Sequence, residues 1–122
     1  MSNILLAEDD KNLGYVLRGA LEEEEFSVML VPDGVEAVAA FLDKPYDLVL
    51  LDIMMPKLDG INALRLIKKI KPDVLALTFS GNAGSTEMLD SIKAGSHRCL
   101  AKPFQLAELK EEIKKYLAPH AG

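Results

Sequence analysis

The chain has 122 residues, 49% of them hydrophobic, with a formal net charge of −5 and a single cysteine, Cys99. That length suits one domain, 1–122, able to bury its own core without disulfides or metal staples, and a lone cysteine fits a reducing cytosol. The acidic balance argues against direct nucleic-acid binding. No apolar tract is long enough to span a bilayer and no signal peptide precedes ILLAEDD, so the expectation is a soluble cytoplasmic domain.

Short apolar runs and helical stripes alternate along the chain. The first run, Asn3–Ala7, stops at Glu8-Asp9-Asp10. Behind it Leu13, Val16, Leu17, Ala20 and Leu21 recur at helical spacing, with Asp10 as expected N-cap and Lys11 and Asn12 in the solvated first turn. Glu22 to Glu25 read as the solvated end of that helix, although carboxylates there oppose the helix dipole by roughly tenths of a kcal/mol each. A second run, Ser27–Val31, precedes a stripe of Val35, Val38, Ala39 and Leu42. The third, Leu48–Leu51, ends abruptly at Asp52, and a turn at Asp59-Gly60 opens a stripe of Ile61, Leu64 and Ile67. The fourth, Val74–Phe79, leads into Ser80-Gly81-Asn82 and a weaker stripe of Met88, Leu89 and Ile92. The fifth, Arg98–Ala101, leads into Lys102-Pro103-Phe104 and a stripe of Leu106, Leu109, Ile113, Tyr116 and Leu117. His97 and His120 have no partner cluster and read as surface or strand-edge residues. The tail APHAG reads either as a natural end or as the start of a linker.

The apolar runs are continuous rather than alternating, as in strands buried on both faces of a parallel sheet. A strand followed by a helix, five times over, predicts an open, doubly wound α/β sheet, and the chain is far too short for an eight-fold barrel. In such sheets ligands bind beyond the carboxyl ends of the strands. Glu8, Asp9, Asp52, Ser80 and Lys102 all fall there. Two carboxylates about 4 Å apart repel by roughly 1 kcal/mol in water-like surroundings and about 4 at an intermediate dielectric, so three converging ones invite a hard cation. A ligand set of oxygens alone favours Mg²⁺, or Mn²⁺, over zinc. A lysine and a hydroxyl at the same rim suit a tetrahedral anion. Together these are the parts for phosphoryl transfer to an aspartate, which gives the buried run a reason to end in a charge.

LLAEDD, LLDIMMPKLDG, the Ser80 strand end and AKPF, in this order and spacing, resemble the receiver domain of two-component response regulators over essentially the whole chain. The resemblance implies a flavodoxin-like five-stranded parallel sheet of (βα)5 topology, with the strand order 2-1-3-4-5 of the family's chemotaxis member. It implies Asp52 as phosphoryl acceptor, Asp9 as direct Mg²⁺ ligand, Glu8 acting mostly through water, and the backbone carbonyl of Met54 completing the protein's ligands. Lys102 resembles the lysine that pairs with the acceptor and then the phosphoryl oxygens, and Ser80 the switch hydroxyl. Pro103 falls where the family usually carries a cis peptide. The implied donor is a sensor histidine kinase, a histidine phosphotransfer protein or a small phosphodonor. The implied output is a changed surface on the fourth helix, fifth strand and fifth helix, read by a downstream effector. Such a domain is no enzyme beyond catalysing its own phosphorylation and dephosphorylation.

Several positions depart from that pattern. Cys99 stands where many receivers carry a Tyr or Phe that swings on switching, and it reads as a buried strand thiol. His97 and Arg98 replace an acidic pair common in winged-helix regulators, which weakens the case for their charged dimer. Glu25 stands where glycine is frequent, so a slightly strained helix exit is expected. Met54 and Asn82 are the positions expected to set the lifetime of the phosphoryl group. Met54 is apolar and positions no attacking water, which predicts a moderately long-lived state. A haloacid-dehalogenase-type hydrolase would need a second aspartate at Met54, and a dinucleotide site a glycine-rich loop where this chain has AEDDKN. A receiver that signals by contact alone is the remaining alternative.

Overall fold

The computed structural model describes residues 2–82 and 86–117. Five strands, β1 (Asn3–Ala7), β2 (Ser27–Val31), β3 (Leu48–Asp52), β4 (Leu75–Ser80) and β5 (Arg98–Ala101), alternate with five helices. These are α1 (Lys11–Glu23), α2 (Gly34–Asp43), α3 (Gly60–Ile70), α4 (Thr86–Lys93) and α5 (Leu106–Tyr116). All strands pair in parallel in the order β2-β1-β3-β4-β5, so the chain winds outward both ways from β1. His120 and the APHAG tail lie outside the described residues.

Strand side chains alternate between two cores, which is why the runs look continuously apolar. Ile4, Leu6, Leu48, Leu50, Leu77 and Phe79 pack on one face with Leu17 and Leu21 of α1 and Leu109 and Ile113 of α5. Leu5, Ala7, Val49, Leu51 and Ala76 point the other way, to Ala37 and Phe41 of α2 and Leu64 and Ile67 of α3.

Two strand ends differ from expectation. Asp52 and Ser80 are the last residues of β3 and β4 rather than the first beyond them, and Val74 precedes β4. Asp52 still pairs with Phe79, and Ser80 with Ala101. A polar side chain marks where a strand leaves the apolar layers, whereas the backbone ladder runs on for another residue.

Four stripes also differ. In α5, Leu106 is exposed while Glu112 is buried beside Leu109 and Ile113. The α2 stripe is displaced by one residue: Gly34, Ala37 and Phe41 are buried, while Val35 and Leu42 are exposed. The helix GVEAVAAFLD is apolar on most sides, so i, i+3, i+4, i+7 spacing fits equally from Gly34 or Val35. In α1, Val16 is exposed and Gly14 takes its place on the buried face. In α4, Leu89 and Ile92 are exposed and the buried residue is Ser91. That helix is fastened by hydroxyls: Thr78 Oγ1 donates to Ser91 Oγ at 3.0 Å and lies 3.0 Å from Ser96 Oγ. Ser91 in turn donates to the Met88 carbonyl at 2.8 Å, and Ser96 to that of Arg98 at 2.7 Å.

The expected caps are in place. Asp10 Oδ1 accepts from Leu13 N at 3.1 Å, and Asp59 Oδ1 from Asn62 N at 2.8 Å. Glu25 holds a left-handed backbone, φ 68°, just past α1. Phe26 N donates to Leu21 O and Glu25 N to Glu22 O, a Schellman ending with glutamate in the glycine seat.

Candidate phosphoryl-acceptor site

The carboxyl ends of β1, β3, β4 and β5 bring the polar residues together. Carboxylate oxygens of Glu8, Asp9 and Asp52 all lie within 4.8 Å of one another. Glu8 and Asp52 are buried and Asp9 is exposed. Lys102 reaches over from β5. Its ammonium donates to Asp52 Oδ2 at 2.7 Å and to Glu8 Oε2 at 3.0 Å.

Local backbone explains why each side chain points inward. β1 and β3 are neighbours with Ala7 opposite Leu51, so Glu8 and Asp52 emerge side by side. Glu8 N donates to Val31 O at 3.1 Å, and the Glu8 carboxylate accepts from Asp10 N at 3.2 Å. Asp52 Oδ1 accepts from Met54 N at 3.1 Å, which turns the chain sharply after β3. A Cβ at Gly60 would lie 2.1 Å from the Asp52 carbonyl oxygen, so only glycine lets α3 begin there. The Lys102–Pro103 peptide is cis.

Electrostatics are set by this crowding. Burial, then the charge and hydrogen bonding of Asp52, push Glu8 up to about 7, and Lys102 pulls against them. For Lys102, burial alone lowers the pKa, but hydrogen bonds and charges from Asp52 and Glu8 outweigh it, and the net shift is upward. Two of three carboxylates therefore share one ammonium, a cluster short of positive charge. Its donors are all oxygens, which fits a hard divalent cation and not zinc.

The remaining expected residues lie on β4, on β5 and in the loop after β3. Ser80 Oγ accepts from Asn82 N at 3.1 Å, so the hydroxyl is held in the turn after β4. Met54 is 63% exposed at the mouth of the site. Met55 packs on the core below it. Cys99 is half-buried on β5. Arg98 pairs with Glu112 and, at 3.9 Å, with Glu108, so its charge is spent on α5 of its own chain.

Asp33-Gly34 is buried at the start of α2, a helix entry that apolar spacing alone does not mark. Its signal is Asp-Gly ahead of a helical stripe, which occurs at 33–34 as well as at 59–60.

Residues 4–114 match the family model described as the response regulator receiver domain. The chain belongs to that family. The receiver protein CpdR of Brucella abortus is 37% identical, the alignment covering 96% of this chain and 98% of CpdR. The transcriptional regulatory protein RprY of Bacteroides fragilis is 35% identical over 93% of this chain, but the match takes in only 48% of RprY, so the chain spans about half of that relative. The receiver domain of the sensor histidine kinase PA1611 from Pseudomonas aeruginosa is similar in structure, with TM-score 0.88 and 32% identity, covering 94% of this chain and 96% of that one. That structure has a magnesium ion coordinated in its active site cleft. This receiver is thus a two-component signalling domain, and among its described residues no helix is long and apolar enough to cross a membrane.

Proposed function

We propose that this receiver, read as one domain over 1–122, accepts a phosphoryl group on Asp52 from a sensor histidine kinase, a histidine phosphotransfer protein or a small phosphodonor. The observation that carries the reading is Lys102 Nζ bridging Asp52 and Glu8, with Asp9 within reach of both. Glu8, Asp9, Asp52 and the Met54 carbonyl would hold Mg²⁺, or Mn²⁺, which supplies charge neutralisation at the transferring phosphoryl oxygens. A carboxylate oxygen of Asp52 forms the new O–P bond as the donor's P–N or P–O bond breaks. The departing imidazole or carboxylate keeps the electron pair, and the imidazole takes its proton from solvent. Lys102 holds the acceptor carboxylate and then the phosphoryl oxygens, and burial keeps other water away.

The modification replaces one carboxylate charge with a phosphoryl of about −1.5 to −2. Ser80 answers that charge by turning its hydroxyl from Asn82 N toward the phosphoryl, which releases Asn82 just after β4. Leu89 and Ile92 of α4, with β5 and α5, form the surface a downstream effector reads. With Cys99 on β5 there is no aromatic ring to swing, so the signal passes through Ser80 and α4. The domain works in the cytoplasm and touches neither nucleic acid nor membrane directly.

Intact-mass analysis after incubation with acetyl phosphate and Mg²⁺ tests the reading. One added phosphoryl on the parent, and none on Asp52→Asn, is expected. No addition to the parent from a small donor or a phosphorylated kinase domain would favour signalling by contact alone.

A further inference from the structure

The loop that follows Asp52, residues 53–60, is braced from outside by the Asp33-Gly34 turn that opens α2. Gly34 opens α2 directly against it. A Cβ at Gly34 would lie 2.0 Å from the Leu58 carbonyl oxygen and 2.8 Å from Leu58 C and Cβ. Ordinary contact begins at 3.4 Å, so any larger residue displaces the loop backbone or the helix by more than 1 Å.

Asp33 holds the other half of the brace. Its carboxylate is buried, with Oδ1 accepting from Glu36 N at 2.8 Å and Oδ2 facing Lys57 Nζ at 3.5 Å. Lys57 itself carries a left-handed backbone, φ 68°, and Leu58 N closes a tight turn on Pro56 O at 2.7 Å. A lysine is held in that conformation only where its surroundings fix it, at a cost of about 1–2 kcal/mol. Here the Asp33 carboxylate and the start of α2 are those surroundings.

At its far end the loop returns to the acceptor. Gly60 N donates to Ile53 O at 2.9 Å, with Gly60 seated on the Asp52 carbonyl. Between these two closely fitted glycines lies Met54, whose N–H binds Asp52 Oδ1. The loop is short and pinned at both ends. A displacement at Leu58 is therefore passed to Met54 and Asp52, where about 1 Å of misplacement is costly to a reaction.

We propose that Asp33-Gly34 is a positioning element for the acceptor site, fixing through Lys57 and Leu58 the loop that presents Met54 to Asp52. Neither residue touches the reacting atoms. The part of this proposal that concerns Mg²⁺ rests on the function proposed above. The part that concerns loop geometry does not.

Gly34→Ala tests it, with Gly19→Ala as control because a Cβ at Gly19 meets nothing within 4 Å. Ile113→Ala serves as a destabilised reference in the opposite core. Amide exchange in metal-free protein is expected to speed up about tenfold at Met54 and Gly60 in Gly34→Ala, with α5 amides unchanged. Calorimetry is expected to show Mg²⁺ binding weakened about tenfold in the same variant. Ile113→Ala should lower global stability at least as much and leave Met54 exchange near the parent's. Should Gly34→Ala not fold, Asp33→Ala replaces it, with about threefold faster exchange at Met54 and Gly60 expected and α5 again unchanged. Unchanged exchange at both amides in the folded variant, or an equal change in Ile113→Ala, overturns the proposal. A braced Met54 in a parent that takes up no phosphoryl overturns the functional reading and leaves the brace standing.

Discussion

Glu8 shows most directly how this site is tuned. Burial and the Asp52 charge raise its pKa from 4.5 to about 7, so the folded protein prefers the protonated form more than the unfolded chain does. A group raised in this way stabilises the fold fully below pH 4.5, and that contribution is lost as pH climbs through about 7. Metal-free protein should therefore unfold at lower urea concentration as pH goes from 5 to about 8, and Glu8→Gln should flatten that slope. Added Mg²⁺ should also flatten it, because a cation favours the ionised carboxylate. A Glu8→Gln variant with the parent's full pH dependence would contradict this assignment. The residues at the site were legible because charge at the end of an apolar run is costly and needs a reason. The hydroxyls of Thr78, Ser91 and Ser96 were not legible, since a buried serine and a solvated one look alike in sequence.

Among the elements, the end of α1 and the loop after β3 make the sharpest predictions. Glu25 occupies the left-handed seat of a Schellman ending, where a side chain costs about 1–2 kcal/mol and glycine costs little beyond its entropy. Glu25→Gly should stabilise the domain by about 1 kcal/mol in urea unfolding, and it also removes a carboxylate from the negative end of the helix. Met54, largely exposed beside Asp52, offers a position from which an amide can hold an attacking water. Met54→Asn should shorten the half-life of phosphorylated protein by about several-fold, followed as loss of the added mass with time. An unchanged or longer half-life would show that the water is set elsewhere. Strands are legible to within a residue because two-sided burial leaves an unbroken apolar run. Helix faces are less legible. The α2 sequence is apolar on most sides, so spacing could not tell Gly34 from Val35, and α4 packs through Ser91 rather than through Leu89 and Ile92.

For the whole molecule, the sheet order places β1 and β3 side by side at its centre, with β4 and β5 beyond β3. That order gathers residues from positions 8, 9, 52, 80 and 102 along one edge. Sequence alone indicated the five strand-helix units and the edge, while the order of the strands came from family resemblance, because parallel pairing leaves no local mark in the chain. The brace between α2 and the 53–60 loop was hidden for a related reason: a close backbone approach appears in sequence only as a glycine. The central claim is that Asp52, among these carboxylates, carries the phosphoryl group. Borohydride reduction of the phosphorylated protein followed by peptide sequencing tests it directly, since reduction turns an aspartyl phosphate into homoserine. The account predicts homoserine at position 52 in samples treated with phosphodonor and Mg²⁺ and none in samples lacking Mg²⁺. Homoserine at Asp9 or another aspartate, with position 52 intact, would contradict it.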